Sequence, residues 1–130
     1  MRWTRACSYA LRAVAFLAAQ KQNRPIASQD IAPACGIPAL YLAKVLRPLV
    51  SAGFLYSLKG PHGGYRLAHP ASTISVLEII EAVDGAIRGH APVVQAGGDQ
   101  LDRRLETICN QLAEAVRMEL RKIYLSDLIS

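Results

Sequence analysis

Lys44 and Arg47 stand three residues apart, and neither falls on the Leu42, Val45, Leu46, Leu49 spacing that would bury a helix face. Two cations one helical turn apart and off the core side can reach base edges in a major groove, or the phosphates that wall it. A second basic set, Lys59, Gly60, Pro61, His62 and Arg66, interleaves charge with glycine and proline, which lets backbone approach a sugar–phosphate chain closely. Arg2, Thr4, Arg5 and Tyr9 near the N-terminus, with Ser28 and Gln29 at a helix start, offer further donors that could clamp phosphates. Leu40 and Tyr41 complete the groove-facing candidates. Hydrogen-bond readout of bases is expected to be sparse, because Pro38, Ala39, Leu40 and Ala43 fill the front of the helix. Methyl contacts and DNA shape are left to supply specificity.

The soft and titratable ligands are few. Cys7, Cys35 and Cys109 include no CxxC pair and form neither a disulfide framework nor a zinc site, so a reducing, cytoplasmic location is expected. Cys7 lies on a Trp3, Ala10, Leu11, Val14 face as a small core residue. Cys35 falls in a turn between helices, and Cys109 one turn after Leu105 in an apolar seam. His62 is expected to touch phosphate or groove, His69 belongs to a loop, and His90 lies in a glycine-rich segment. No histidine neighbours a nucleophile in a recognised motif, and no phosphate-cradling glycine loop follows a strand, so an enzyme is not expected.

The elements that position these residues follow from periodicity and turn chemistry. A first helix is expected from Thr4 to Gln20, ended by the KQNRP run. Ser28 is expected to cap a second helix, which Pro33 should hold to about one and a half turns. Cys35-Gly36-Ile37 makes a tight connection, and Pro38 fits the first turn of a third helix. That helix has Tyr41, Leu42, Val45, Leu46 and Leu49 on one face and ends at Gly53. Pro48 should cost it about 3 kcal/mol or bend it. A short helix, a turn with glycine and a longer helix make a helix-turn-helix. Phe54 to Leu58 and Tyr65 to Ala68 read as strands joined by the basic glycine-rich tip: a wing.

Ser75 then caps a helix over Val76 to Val83, and residues 86–100 read as a mobile loop. Leu101, Leu105, Ile108, Leu112, Val116, Leu120 and Ile123 mark a long helix whose steps of three and four suit a helix–helix seam. A stripe so long on so small a domain points to dimerisation. Ser126-Asp127 suggests a final helical turn. The fold class expected is mainly α with a small β-hairpin, a winged helix-turn-helix plus a long C-terminal dimerisation helix. The organisation expected is 1–85 for DNA binding, 86–100 as the loop and 101–130 for dimerisation.

Charge is divided along the same boundary. Residues 1–66 hold nine Lys/Arg and one acid, Asp30, a formal +8; residues 67–130 hold six and nine, a formal −3, giving the overall +5. A basic half on one small domain points to a polyanion partner. The N-terminal run MRWTRACSYALRAVAFLAAQ is basic and then apolar, as in a signal peptide, but Arg12 interrupts it and its apolar residues recur helically. No uninterrupted stretch reaches the roughly 20 residues that span a bilayer.

The run MRWTRACSYALRA, the segment IPALYLAKVLRPLVSAGFLYSLKGPHGGYRLA and the run ISVLEIIEAVDG together resemble the IscR/NsrR-type (Rrf-type) bacterial transcription regulators, and IYLSDLIS continues the likeness. The wing run GPHGGYRLA, with Tyr41-Leu42 before it, is the most specific part. The resemblance implies a homodimeric winged helix-turn-helix repressor of operator DNA whose long helix swaps across the dimer. Many members hold an iron–sulfur cluster through three cysteines in the loop before that helix, with a fourth ligand from elsewhere. Some use an acid near the opening turns of the first helix, where this chain has Cys7-Ser8. The corresponding loop here, AIRGHAPVVQAGGDQ, has no cysteine. Cys7, His90 and Cys109 are the remaining donors, one short of a set, so no cluster is expected. The signal is then a small molecule, a partner protein or thiol oxidation. Two alternatives stand beside this reading: a cofactor sensor of the same fold using His90 and cysteines, and a winged-helix protein-interaction module.

Overall fold

The computed structural model describes residues 2–94 and 96–129. Helix α1 (Arg5–Ala18) runs through the middle of the molecule and packs on α2 (Ser28–Cys35), α3 (Ala39–Ser51), α4 (Val76–Asp84) and α6 (Leu125–Ile129). Its inward residues are small, Cys7, Ala10 and Ala13 beside Val14 and Leu17, which lets the neighbouring helices come close. Thr4 caps it, its hydroxyl accepting from the Cys7 N–H. The end falls two residues short of the expected Gln20, whose side-chain amide turns back to donate to the Phe16 carbonyl.

Helix α2 differs from expectation at both ends. Ala27 occupies the cap position and Ser28 is the first helical residue, with no side-chain capping bond. Pro33 does not stop the helix, which runs eight residues to Cys35. Proline's fixed φ is helical, and the single bond it forfeits is one that an exposed turn tolerates. Gly36, at φ 66°, then takes the left-handed conformation that turns the chain into α3. Pro38 caps α3 instead of lying inside it.

Leu42, Val45, Leu46 and Leu49 bury the inner face of α3, but Tyr41 does not join them and is 54% exposed. It sits one residue round the helix from Leu42, on the flank. Pro48 is accommodated in the last turns. The N–H it lacks would have met the Lys44 carbonyl, at an exposed position that water can satisfy.

Strands β1 (Leu55–Leu58) and β2 (Gly64–Leu67) pair antiparallel, Leu55 opposite Leu67 and Leu58 opposite Gly64; β1 starts one residue later than expected and ends as expected, and β2 lies one residue earlier. A bridge from Ile26 to Tyr65 adds a third, one-residue rung. Ser75 caps α4 through a reciprocal box with Glu78. The long helix α5 (Gln100–Arg121) opens on an Asp99–Asp102 capping box and has no buried residue. Its last third packs on α4, and Leu120 turns inward against Cys7, Val76 and Ile80 instead of continuing the outer stripe. Leu125 then plugs the core beneath α1, and Ser75 bridges Tyr124.

The segment 86–91, expected to be mobile, is fastened at three points. The Ile87 N–H donates to Glu81, the Ala91 N–H donates to Glu106, and Gly89 lies against the Cys109 backbone where a Cβ would find no room. Gln95 of the same loop lies outside the described residues. Among the described residues, no single helix is long and apolar enough to cross a membrane; α2 and α3 pass that test only as a pair bent by 101°.

Candidate nucleic-acid interface

Along the outer side of α3, Leu40, the adjacent Ala43 and Lys44, and Arg47 recur at a helical spacing of three to four residues, and all are exposed. The buried leucines on the opposite side fix this orientation, so α3 presents an apolar front followed by two cations. Leu40 is 98% exposed.

The wing is held to the second helix through backbone. Ile26 and Tyr65 exchange two hydrogen bonds, each 2.9 Å between heavy atoms. Gly64, at φ 142°, sits directly on the Ile26 carbonyl, and Gly63 sits on that of Leu58; neither position has space for a side chain. The result is a cleft lined by Ser28, Gln29, Ser57, Gly60, Pro61 and Gly63, where the start of α2 faces the wing. Ser28, Gln29, Gly60 and Pro61, expected near phosphate from separate arguments, are thus brought to one place. Lys59 and His62 are exposed at the tip. Arg66 is drawn back over the Tyr56 ring, 4.6 Å from its centre, across the strand pair that joins them.

At the N-terminus the set divides. Arg2 and Arg5 are exposed. Thr4 is committed elsewhere: its hydroxyl and its backbone N–H both donate to Asp84, besides accepting from Cys7. Tyr9 is partly buried against the core. Thr4 is thus bonded within the fold, while Tyr9 packs its ring against the core.

Charge pairing separates the two halves of the chain. Every ion pair found among the described residues lies between Glu81 and Lys122: His90 with Glu106, Arg117 with Glu81 and Glu114, and Lys122 with Glu119. None of the cations of residues 2–66 enters one. Unpaired cations on a recognition helix and wing sustain an outward positive potential, which draws a polyanion.

A fastening that sequence reading missed lies on the acidic side. Arg117 donates from Nε and Nη2 to the two oxygens of Glu81, at 2.9 and 3.1 Å, while Glu81 also accepts from Ile87. The Arg117 hydrogen bonds hold the Glu81 carboxyl below the usual carboxylate range; burial opposes them and the Ile87 N–H reinforces them. This clasp joins α4, the loop and α5. No local pattern marks it, since the partners are 36 residues apart. The Ile26 rung did have a signal, the Gly63-Gly64 pair, which is more glycine than a hairpin tip alone needs.

A winged helix-turn-helix with this charge distribution defines a DNA-binding transcription regulator, not an enzyme. Residues 3–130 match the family model for Rrf2, described as "Iron-dependent Transcriptional regulator", and the chain belongs to that family. It is 32% identical over 134 residues to Protein rrf2 of Nitratidesulfovibrio vulgaris, covering 99% of this chain and 87% of the relative. It is 35% identical over 133 residues to the HTH-type transcriptional regulator IscR of Vibrio vulnificus, covering 100% and 78%. Among solved structures, the oxidized form of CymR from Staphylococcus aureus superposes with a TM-score of 0.76 at 27% identity, over 100% of this chain and 97% of that one. CymR, the global cysteine regulator of B. subtilis, shares the fold at a TM-score of 0.81 and 24% identity, over 99% and 96%.

Among the described residues, no three His, Cys, Asp or Glu side chains gather closely enough to hold a metal ion. Cys7 is fully buried beside Val76 and Ile80, and burial, followed by the neighbouring Asp84 carboxylate, pushes its thiol up to about 12. The His90 imidazole is 76% exposed and leans on Glu106 at 3.7 Å. Cys109 is half-buried on α5, and its backbone lies against Gly89. Burial likewise raises the Cys35 thiol, partly offset by the Arg12 charge.

Proposed function

We propose that this chain is a homodimeric repressor that binds operator DNA in the bacterial cytoplasm and does so without an iron–sulfur cluster. Residues 1–85 form the reading unit, 86–100 the connecting loop and 101–130 the dimerisation unit. Helix α3 enters the major groove with Leu40, Tyr41, Lys44 and Arg47. The wing residues Lys59, Gly60, Pro61 and His62 and the facing Ser28 and Gln29 grip the flanking backbone, with Arg66 behind them and Arg2 and Arg5 at the edge. The observation that carries this reading is the absence of any ion-pair partner, among the described residues, for the cations of the basic half. Self-association is supported by Leu101, Leu105, Ile108 and Leu112, which stand exposed in a row on α5. Val116 extends the row, half-buried, whereas Ile123, exposed, lies past the last residue of α5 instead of on the helix as expected.

The test is fluorescence anisotropy with a selected operator and a scrambled duplex, titrated over salt. Arg47→Ala should weaken operator binding about ten-fold or more and leave scrambled DNA nearly unchanged, as loss of a base contact does. Lys59→Ala should weaken both alike and lower the salt slope by about one. Equal losses from the two variants would confine Arg47 to phosphate. Absence of binding at every salt concentration would leave the protein-interaction module standing.

A further inference from the structure

Leu40 is an unusual residue to find on the outside of a folded domain. It is 98% exposed on the first turn of α3, and nothing in its own chain covers it. A single exposed leucine is ordinary on a protein surface. This one, however, heads the stripe Leu40, Ala43, Lys44, Arg47, whose other end is cationic. The stripe contains no Asn, Gln, Asp, Glu, Ser or Thr, the side chains that read adenine or cytosine by hydrogen bonds. Recognition helices touch base edges mainly with their N-terminal residues, and here those residues are hydrocarbon. In the major groove, hydrocarbon has one specific partner among the unmodified bases, the C5-methyl group of thymine.

We propose that Leu40 is a specificity-determining residue that reads thymine by its C5-methyl group, with Ala43 giving close approach alongside, while Lys44 and Arg47 supply the polar and ionic contacts. The inference rests on the groove docking of α3 proposed above and adds the chemistry by which the front of that helix discriminates. Ala43 cannot compete for a hydrogen-bonding base edge, and its small side chain lets the helix front lie deep. The operator half-site therefore carries thymine at one or two positions whose recognition depends on a methyl and not on a hydrogen bond.

The experiment replaces each thymine of a selected operator, one at a time, by deoxyuridine, which lacks only the methyl. Binding of the full chain is measured by anisotropy for the wild type, Leu40→Ala and Arg47→Ala, with thermal melting of each variant as the check on folding. One or two positions per half-site should lose about four-fold in wild-type affinity, the effect of uncovering one methyl-sized group. With Leu40→Ala the same replacements should matter less than two-fold, while its melting temperature stays at the wild-type value because the side chain packs against nothing. Deoxyuridine losses that persist in Leu40→Ala, or none at any position, would overturn the proposal. If Arg47→Ala still weakens those duplexes selectively, the groove docking survives that failure. If no duplex is selected or bound, both fall together.

Discussion

Replacing Gly64 by alanine tests whether wing and second helix act as one body. A Cβ at this position meets the Ile26 carbonyl and the Ala27 nitrogen, both backbone and neither able to swing aside. The strand must therefore move outward, which breaks the two 2.9 Å hydrogen bonds between Ile26 and Tyr65. At about 1 kcal/mol net for each bond, that is about 2 kcal/mol. The φ of 142° adds strain of about 1 kcal/mol for a residue with a side chain. A loss of about 3 kcal/mol corresponds to a fall in Tm of about 10–15 °C for a domain of this size. Gly60→Ala is the matched control, since Gly60 also has a positive φ, 101°, but open space around its Cβ. It should cost only the strain, about 1 kcal/mol. Melting followed by circular dichroism compares the two, and DNA affinity well below either Tm shows whether a detached wing still grips. The reasoning would be refuted by a Gly64→Ala variant that melts within about 3 °C of Gly60→Ala, less than the fall expected from one lost hydrogen bond.

Three further outcomes are expected. Leu112→Asp places charge in the exposed α5 stripe and should yield monomers by light scattering that bind DNA at least ten-fold more weakly; a variant still dimeric at micromolar concentration would locate the interface elsewhere. Glu81 has a folded pKa held below its unfolded value, chiefly by the hydrogen bond from Arg117. Its stabilising effect is therefore present above the unfolded value, about 4.5, and is lost as pH falls through the lower folded value. Urea stability of the wild type should then drop more steeply than that of Glu81→Gln as pH goes from 5 to 3, and parallel curves would contradict the clasp. Cys7, with its thiol pushed up to about 12, should resist iodoacetamide at pH 8.5 while half-buried Cys109 reacts first. Mass spectrometry of early time points showing Cys7 labelled as fast as Cys109 would contradict its burial.

What could be read from the sequence depended on how local the cause was. The helix-turn-helix and wing were legible because leucine spacing, Gly36 and the glycine-rich tip each act within a few residues. Helix α5 was legible because its stripe repeats for several turns. Errors arose where neighbours compete for one position. Ser28 is a favourable cap by type, yet Ala27 takes the place because the Ile26–Tyr65 bridge fixes where the extended chain ends. Tyr41 shares the apolar character of the core residues, and only the direction of packing sets it on the flank. The Glu81–Arg117 clasp and the commitment of Thr4 to Asp84 join residues 36 and 80 apart, and composition contains no trace of such pairs. For the proposed interface, the exposure of the cations on α3 and at the wing tip follows from their type and spacing, whereas the bonding of Thr4 to Asp84 could not be read from nearby residues.

The clasp at Arg117 has a mechanical meaning. Between it and Gln100, α5 extends seventeen residues, an arm of about 25 Å, fastened to the reading unit at one end and braced by the short strap at Glu106. A rotation of about 5° at the clasp sweeps the far end through about 2 Å, by the same helix geometry. In the proposed homodimer, two arms joined along their outer faces would form a pair of callipers, and the gap between the two α3 helices is what the callipers would measure. On duplex DNA that gap must match about 34 Å, one helical turn. In that assembly a single guanidinium would stand at the pivot where a small adjustment is amplified into a fit or a misfit with the groove.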